Sequence, residues 1–181
     1  MPTFFVDVCN GYCFTEYFDD RASCNIVHRE NSIHVKGNAH FFYLLAKQML
    51  YFACNDFSVP YGSHVHYEKT RHIGHHGLEL ILEVIRIQSQ NIVLDADEGI
   101  HVKVDIPQYV DELYKRWHDN TKVYIKSDAQ TVHILGDANG LIFIATVLLF
   151  MAENGDVGDG FCCEERRLTG WQGNTVIFTV A

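Results

Sequence analysis

The chain has 181 residues, 48% hydrophobic and 13% aromatic, enough apolar mass for one sizeable core or two small fused ones. Its formal net charge of -9 excludes a general nucleic-acid binder, because nothing neutralises phosphates in bulk, and suits either a basic protein partner or plain solubility. Residues 1–14 lack a basic n-region, so no secretory signal is read, and six cysteines without paired-knuckle spacing point to reduced thiols in a cytoplasmic protein.

Taken in order, Thr3 to Val8 is an aromatic and β-branched run that predicts a strand, and Asn10-Gly11 predicts a turn returning through Cys13 to Phe18. Asp19-Asp20-Arg21 reads as a solvated turn. Cys24 to His28 and Ser32 to Lys36 form the next expected hairpin, which runs through Gly37 and Asn38 into a helix over Ala39 to Cys54. Phe42, Leu45, Ala46, Met49 and Ala53 fall on one face of that helix, with Tyr43, Lys47 and Gln48 off it. Strands are expected at Ser63 to Glu68 and at Leu78 to Ile87. A further hairpin, Asn91 to Ala96 with Ile100 to Val104, surrounds Asp97-Glu98-Gly99. Asp105 then caps a middle helix reaching about Trp117, with Pro107 in its first turn.

Much of this grammar recurs 99 positions later. Ser32 to Ala53 aligns without a gap on Thr131 to Ala152, with His34/His133, Gly37/Gly136, Ala39/Ala138, Ala46/Ala145, Leu50/Leu149 and Ala53/Ala152 identical. Asn38 and Asp137 both serve as N-caps, and Lys122 to Lys126 leads in as Cys24 to His28 does. The second helix, Ala138 to Ala152, is apolar almost all round, so it is expected to be covered on more than one side; its run from Gly140 is too short to span a bilayer. The alanines at 46/145 and 53/152 suggest close approach of helix to sheet. Gly160 to Arg166 and Asn174 to Val180 are the closing strands. The expectation is an α+β fold of two repeated β-β-α-β-β units, 1–90 and 91–181, forming antiparallel sheets with helices packed on a face, plus the middle helix. No Pro/Gly/Ser-rich linker separates the halves, so one compact pseudo-symmetric domain is expected.

The densest chemistry lies at Gly62-Ser63-His64-Val65-His66-Tyr67-Glu68, followed by His72, His75 and His76. On a strand His64, His66 and Glu68 share a face, a donor set that suits a divalent metal. With Gly160 set against Gly62, Cys162 and Glu164 stand where His64 and His66 stand, so the pair is not repeated, which argues against a required metal. His34 and His133 should face away from their helices. Glu112, Lys115, Arg116 and His118 decorate a solvated face of the middle helix. Cys9 and Cys13 have the wrong spacing for a redox motif, and there is no G-x-S-x-G, P-loop or dinucleotide fingerprint. No cofactor is expected.

The pattern built from Gly37, Asn38, Leu45, Ala46, Leu50, Ala53, Gly62, His64, His66 and Glu68, closed by Glu79-Leu80-Ile81, resembles the bacterial polymorphic-toxin immunity proteins of the family catalogued as immunity protein thirty-two. The likeness covers Ser32 to Ile85, with a degenerate echo in Thr131 to Val180; Glu68 stands where the family has Asp. The resemblance implies a non-catalytic cytoplasmic protein that binds and neutralises a cognate protein toxin. The alternative is a metal-binding protein or metal-dependent hydrolase using His64, His66 and Glu68. For the first reading, acidic residues at turns and strand edges would meet a basic toxin: Asp19, Asp20, Asp95, Asp97, Glu98, Asp156, Asp159, Glu164 and Glu165. Tyr17, Phe18, Tyr61 and Tyr67 are the expected exposed aromatic anchors. No nucleic-acid or membrane partner is expected, and homo-oligomerisation stays open.

Overall fold

The computed structural model describes residues 3–8, 21–54, 64–67, 74–84, 100–105, 112, 115, 121–164 and 170–181. Alternation of side chains sets its strands. In Ser32–Gly37 (β3) Ile33, Val35 and Gly37 are buried, while Ser32, His34 and Lys36 look outward. Cys24–Arg29 (β2) pairs with it antiparallel, placing Cys24 opposite Gly37. Val123–Ser127 (β8) and Thr131–Gly136 (β9) form the matching hairpin, with Val123 opposite Gly136. Each hairpin enters a helix, Ala39–Cys54 (α1) or Ala138–Asn154 (α2), through a cap that does two jobs. Asn38 Oδ1 accepts the backbone N–H of Phe41 at 3.0 Å and of Ser23 at 3.1 Å; Asp137 Oδ1 accepts those of Gly140 at 2.7 Å and Lys122 at 3.2 Å. The cap therefore satisfies one orphan donor of the first helical turn and ties that turn to the start of the preceding hairpin.

The remaining strands are Thr3–Val8 (β1), His64–Tyr67 (β4), His75–Gly77 (β5), Glu79–Val84 (β6), Ile100–Asp105 (β7), Gly160–Cys163 (β10), Trp171–Gly173 (β11) and Thr175–Val180 (β12). Sheet 1 has the order β10-β12-β3-β2-β5 and sheet 2 the order β11-β8-β9-β6-β4. Read from opposite ends, the two orders correspond: β4 with β10, β6 with β12, β9 with β3, β8 with β2 and β11 with β5. Pairing direction and register correspond as well. Glu79 lies opposite Thr131 in the parallel β6–β9 pair, as Thr175 lies opposite Ser32 in β12–β3. Each sheet thus takes strands from both sides of the chain midpoint, and neither β-β-α-β-β stretch forms a sheet of its own.

Both helices lie between the sheets. α1 touches β3 of sheet 1 and β6 of sheet 2, α2 touches β12 of sheet 1 and β9 of sheet 2, and the contact of each helix with the other is by far its largest. One continuous core results, in which each fully buried Leu, Ile or Phe contributes about 1.5–3 kcal/mol. α2 is covered on more than one side, as its composition requires. No helix among the described residues is long and apolar enough to cross a membrane.

Several expectations need correction. The sheets are mixed rather than antiparallel, because the pairs that join the two halves, β3–β12 and β6–β9, run parallel. The helices pack on one face of each sheet and so lie between the two, and close approach is foremost helix to helix. Gln48 is 7% exposed rather than lying on an open face. β1 pairs with β7, Thr3 opposite Asp105, whereas the expected return strand at 13–18 and the strand at 91–96 lie outside the described residues. The middle helix also lies outside them, except Glu112 and Lys115, which are helical. β5 and β11 were not expected. Each adds a three-residue parallel pairing beside the start of a hairpin, and each ends in a glycine with positive φ, +83° at Gly77 and +100° at Gly173. A Cβ at either glycine would sit about 2.0 Å from the carbonyl oxygen of Ile26 or Ile125, so only glycine fits this turn.

Candidate functional site

The His-rich strand is the last of sheet 2 among the described strands. β4 pairs with β6 alone among the described strands, with His64 opposite Glu83 and His66 opposite Ile81. Val65 and Tyr67 turn inward, and His64 and His66 share the outer face, as alternation requires. Their rings meet nearly edge to face, 4.9 Å between centroids, and His66 Nδ1 is hydrogen-bonded to Glu79 Oε1. Across β6, Ile81 stands between His66 and His133 and is only 8% exposed. This outer face is therefore an apolar floor bordered by imidazoles and by the carboxylates of Glu79 and Glu83.

That geometry bears on the metal alternative. The Nδ1 of His66 is already engaged by a carboxylate, and no group of three or more His, Cys, Asp or Glu among the described residues is placed to hold a metal ion. Glu68 and Gly62 lie outside the described residues. The correspondence of the two sheets also corrects the alignment: Gly160 opposite Thr179 occupies the place of His64 opposite Glu83, so Cys162 matches His66 and Glu164 matches Glu68. His34 and His133 both sit on outer faces, opposite Ile177 and Ile81.

Inside sheet 1, sequence reasoning missed a second constellation. His75, assigned to no strand by the sequence, is 2% exposed on β5, with Nδ1 3.2 Å from the Cys24 sulfur and Nε2 2.7 Å from the Leu78 carbonyl oxygen. A carbonyl only accepts, so Nε2 carries the proton and Nδ1 is left to accept the thiol S–H. Burial pushes the Cys24 thiol up to about 12, and pushes the phenol of Tyr67 well above its ordinary value. A thiol held in its neutral form is unsuited to nucleophilic attack, since the thiolate is the reactive form. A small cavity adjoins the group, lined by Cys24, Phe41, Leu44, Tyr67 and His75. The signal for this site was available: a shift of 96 rather than 99 sets His75-x-Gly77 on Trp171-x-Gly173.

The expected docking residues fare unevenly. Tyr67 is 3% exposed and packs edge-on against Phe41, so it is a core residue and not an exposed anchor. Asp156 and Asp159 are exposed in the turn before β10, where Asp159 Oδ2 accepts the Asp156 N–H at 2.9 Å; Glu164 is half-buried just after β10. Tyr17, Phe18, Asp19, Asp20, Tyr61, Asp95, Asp97, Glu98 and Glu165 lie outside the described residues. Cys24, Cys162 and Cys163 are thiols that form no disulfide.

Comparison with known proteins gives one family. The model of the family described as Immunity protein 32 matches residues 32–85 and 131–161. The two matched stretches include β3, α1, β4 and β6 from the first half, and β9 and α2 from the second. No curated protein and no solved structure matches the chain.

Proposed function

We propose, starting from a chain that resembles the Immunity protein 32 family in both halves, that this protein is a non-catalytic immunity protein. It neutralises a cognate toxin in the cytoplasm by forming a tight non-covalent complex. The observation that carries this reading is the family match in two separate stretches, which supports an immunity function. The guarded state of the Cys24–His75 pair agrees with a binder rather than a hydrolase. We read the chain as two fused units whose sheets have exchanged strands, in keeping with the matching strand orders.

The toxin is proposed to be basic. A chain of net charge -9 attracts a cationic partner over distances comparable to the screening length, with the acidic residues Asp95, Asp97, Glu98, Asp156 and Asp159 contributing to the pull. The test is to express the reading frame adjacent to this chain's gene, mix the two purified proteins and follow association at low and high salt. A tight complex is expected, with an on-rate that falls by about tenfold or more between low and high salt and less steeply when Asp95, Asp97 and Glu98 are neutralised together. Failure of the adjacent product to bind would refute the immunity reading. Binding indifferent to salt would refute only the electrostatic part.

A further inference from the structure

The two sheets offer an internal control. Backbone order, direction and register agree, so each outward position of sheet 2 has a counterpart on sheet 1 under the same folding demands. Some counterparts keep their character: Ile81 matches Ile177, and His133 matches His34. Four adjoining positions do not. His64, His66, Glu79 and Glu83 stand where sheet 1 has Gly160, Cys162, Thr175 and Thr179. Threonine on a solvated strand is what β-propensity favours, whereas glutamate is depleted there. At Glu79 and Glu83, which flank Ile81 on one face, sheet 2 therefore gives up local preference, and the neighbouring β4 positions add two imidazoles. Folding does not demand this, because sheet 1 folds without it.

The charges diverge in the same sense. The outer face of sheet 1 carries Lys36 on β3, opposite Asn25, and Arg29 on β2 at the other end of the pair, opposite Ser32; the outer face of sheet 2 carries Glu79 and Glu83, with Lys126 two strands away. We infer that the outer face of sheet 2, centred on Ile81 and walled by the His64–His66 rings, is the seat on which the toxin's arginine- or lysine-rich surface docks. This inference rests on the immunity reading above. A nearly buried aliphatic floor ringed by polar groups is the arrangement in which a partner's side chains are desolvated effectively, and carboxylates at Glu79 and Glu83 provide bidentate acceptors for guanidinium groups. The His66–Glu79 hydrogen bond fixes one of those carboxylates before the partner arrives, which lowers the ordering cost on docking. The same two carboxylates repel a phosphate backbone, so the face fits a cationic protein and not a nucleic acid.

The experiment measures association of the adjacent-frame product with the wild-type chain, with E79T/E83T, with E79Q/E83Q and with K36T. E79T/E83T installs the residues that sheet 1 carries at the same places, and E79Q/E83Q removes charge at nearly constant shape. Both double variants are expected to bind about tenfold or more weakly and with a smaller salt dependence, while K36T on the opposite sheet stays within about twofold. Wild-type binding together with both double variants within about twofold of it would overturn the seat and leave the immunity reading standing. Wild-type binding that a chelator abolishes and added zinc restores would overturn it too, in favour of an imidazole-held metal. No wild-type complex at all would remove the immunity reading, and the seat with it.

Discussion

His75 and Trp171 occupy the same place in the two sheets, yet one is a small titratable ring and the other the largest side chain available. Both donate a ring N–H to the carbonyl three residues on, His75 to Leu78 at 2.7 Å and Trp171 to Asn174 at 3.1 Å. Both stand two residues before the positive-φ glycine. What the scaffold requires there is a buried ring that satisfies one carbonyl; what fills the rest of the space is free to differ. In the second half Trp171 is paired with Val123 across the β11–β8 register, while in the first half the imidazole meets Cys24 beside a small cavity. The outer faces teach the same lesson at the surface, where a shared register carries Thr175 and Thr179 on one sheet and Glu79 and Glu83 on the other.

The comparison can be broken by truncating each ring. Trp171→Ala removes a side chain that is 1% exposed and is expected to cost about 3–5 kcal/mol by the large-to-small cavity rule. His75→Ala removes less volume next to an existing cavity but leaves the Leu78 carbonyl without its donor, for about 1–3 kcal/mol. Denaturant unfolding of the two variants ranks them. Equal losses would mean that packing differs less between the halves than the side chains suggest.

A smaller and sharper comparison exchanges the caps. Asp137 is buried, and burial raises its carboxyl above the ordinary range against the opposing hydrogen bonds from Gly140 and Lys122. A folded-state value above the unfolded one stabilises fully below the unfolded value and is lost as pH rises through the folded one. Asp137→Asn should therefore be neutral or stabilising at pH 7, by less than about 0.5 kcal/mol because the helix N-terminus already favours the charge, and should lose that advantage in acid. Asn38→Asp should do the reverse. Asn38 Nδ2 donates to the Arg21 carbonyl at 2.7 Å, and a carboxylate would set two acceptors face to face for a loss of about 1 kcal/mol. Thermal unfolding at pH 4 and pH 7 checks both.

How legible the fold was follows from which interactions are local. β3, α1, β9 and α2 could be placed to within a residue or two, because alternation, a glycine and a capping side chain all lie within the segment they define. The pairing of strands from the two halves of the chain could not be read, since Glu79-Leu80-Ile81-Leu82 specifies which face is buried and nothing about which strand lies beside it. β5 and β11 escaped because His75-His76-Gly77 and Trp171-Gln172-Gly173 are too short to show a period. Tyr67 was misjudged because its position on the pleat was read without the layer beneath it, where Phe41 closes over the ring. The His64–His66 face was legible from alternation alone, but Glu79 as the partner of His66 was not, since it comes from the next strand of sheet 2.

Hydrogen exchange on the complex with the adjacent-frame product tests most directly whether one scaffold has set its two outer faces to different uses. The account predicts that binding slows exchange of the β4 and β6 amides, around His64, His66, Glu79 and Glu83, and leaves their β10 and β12 counterparts at the rates of the free protein. Protection concentrated on β10 and β12, or shared equally by the two sheets, would contradict it.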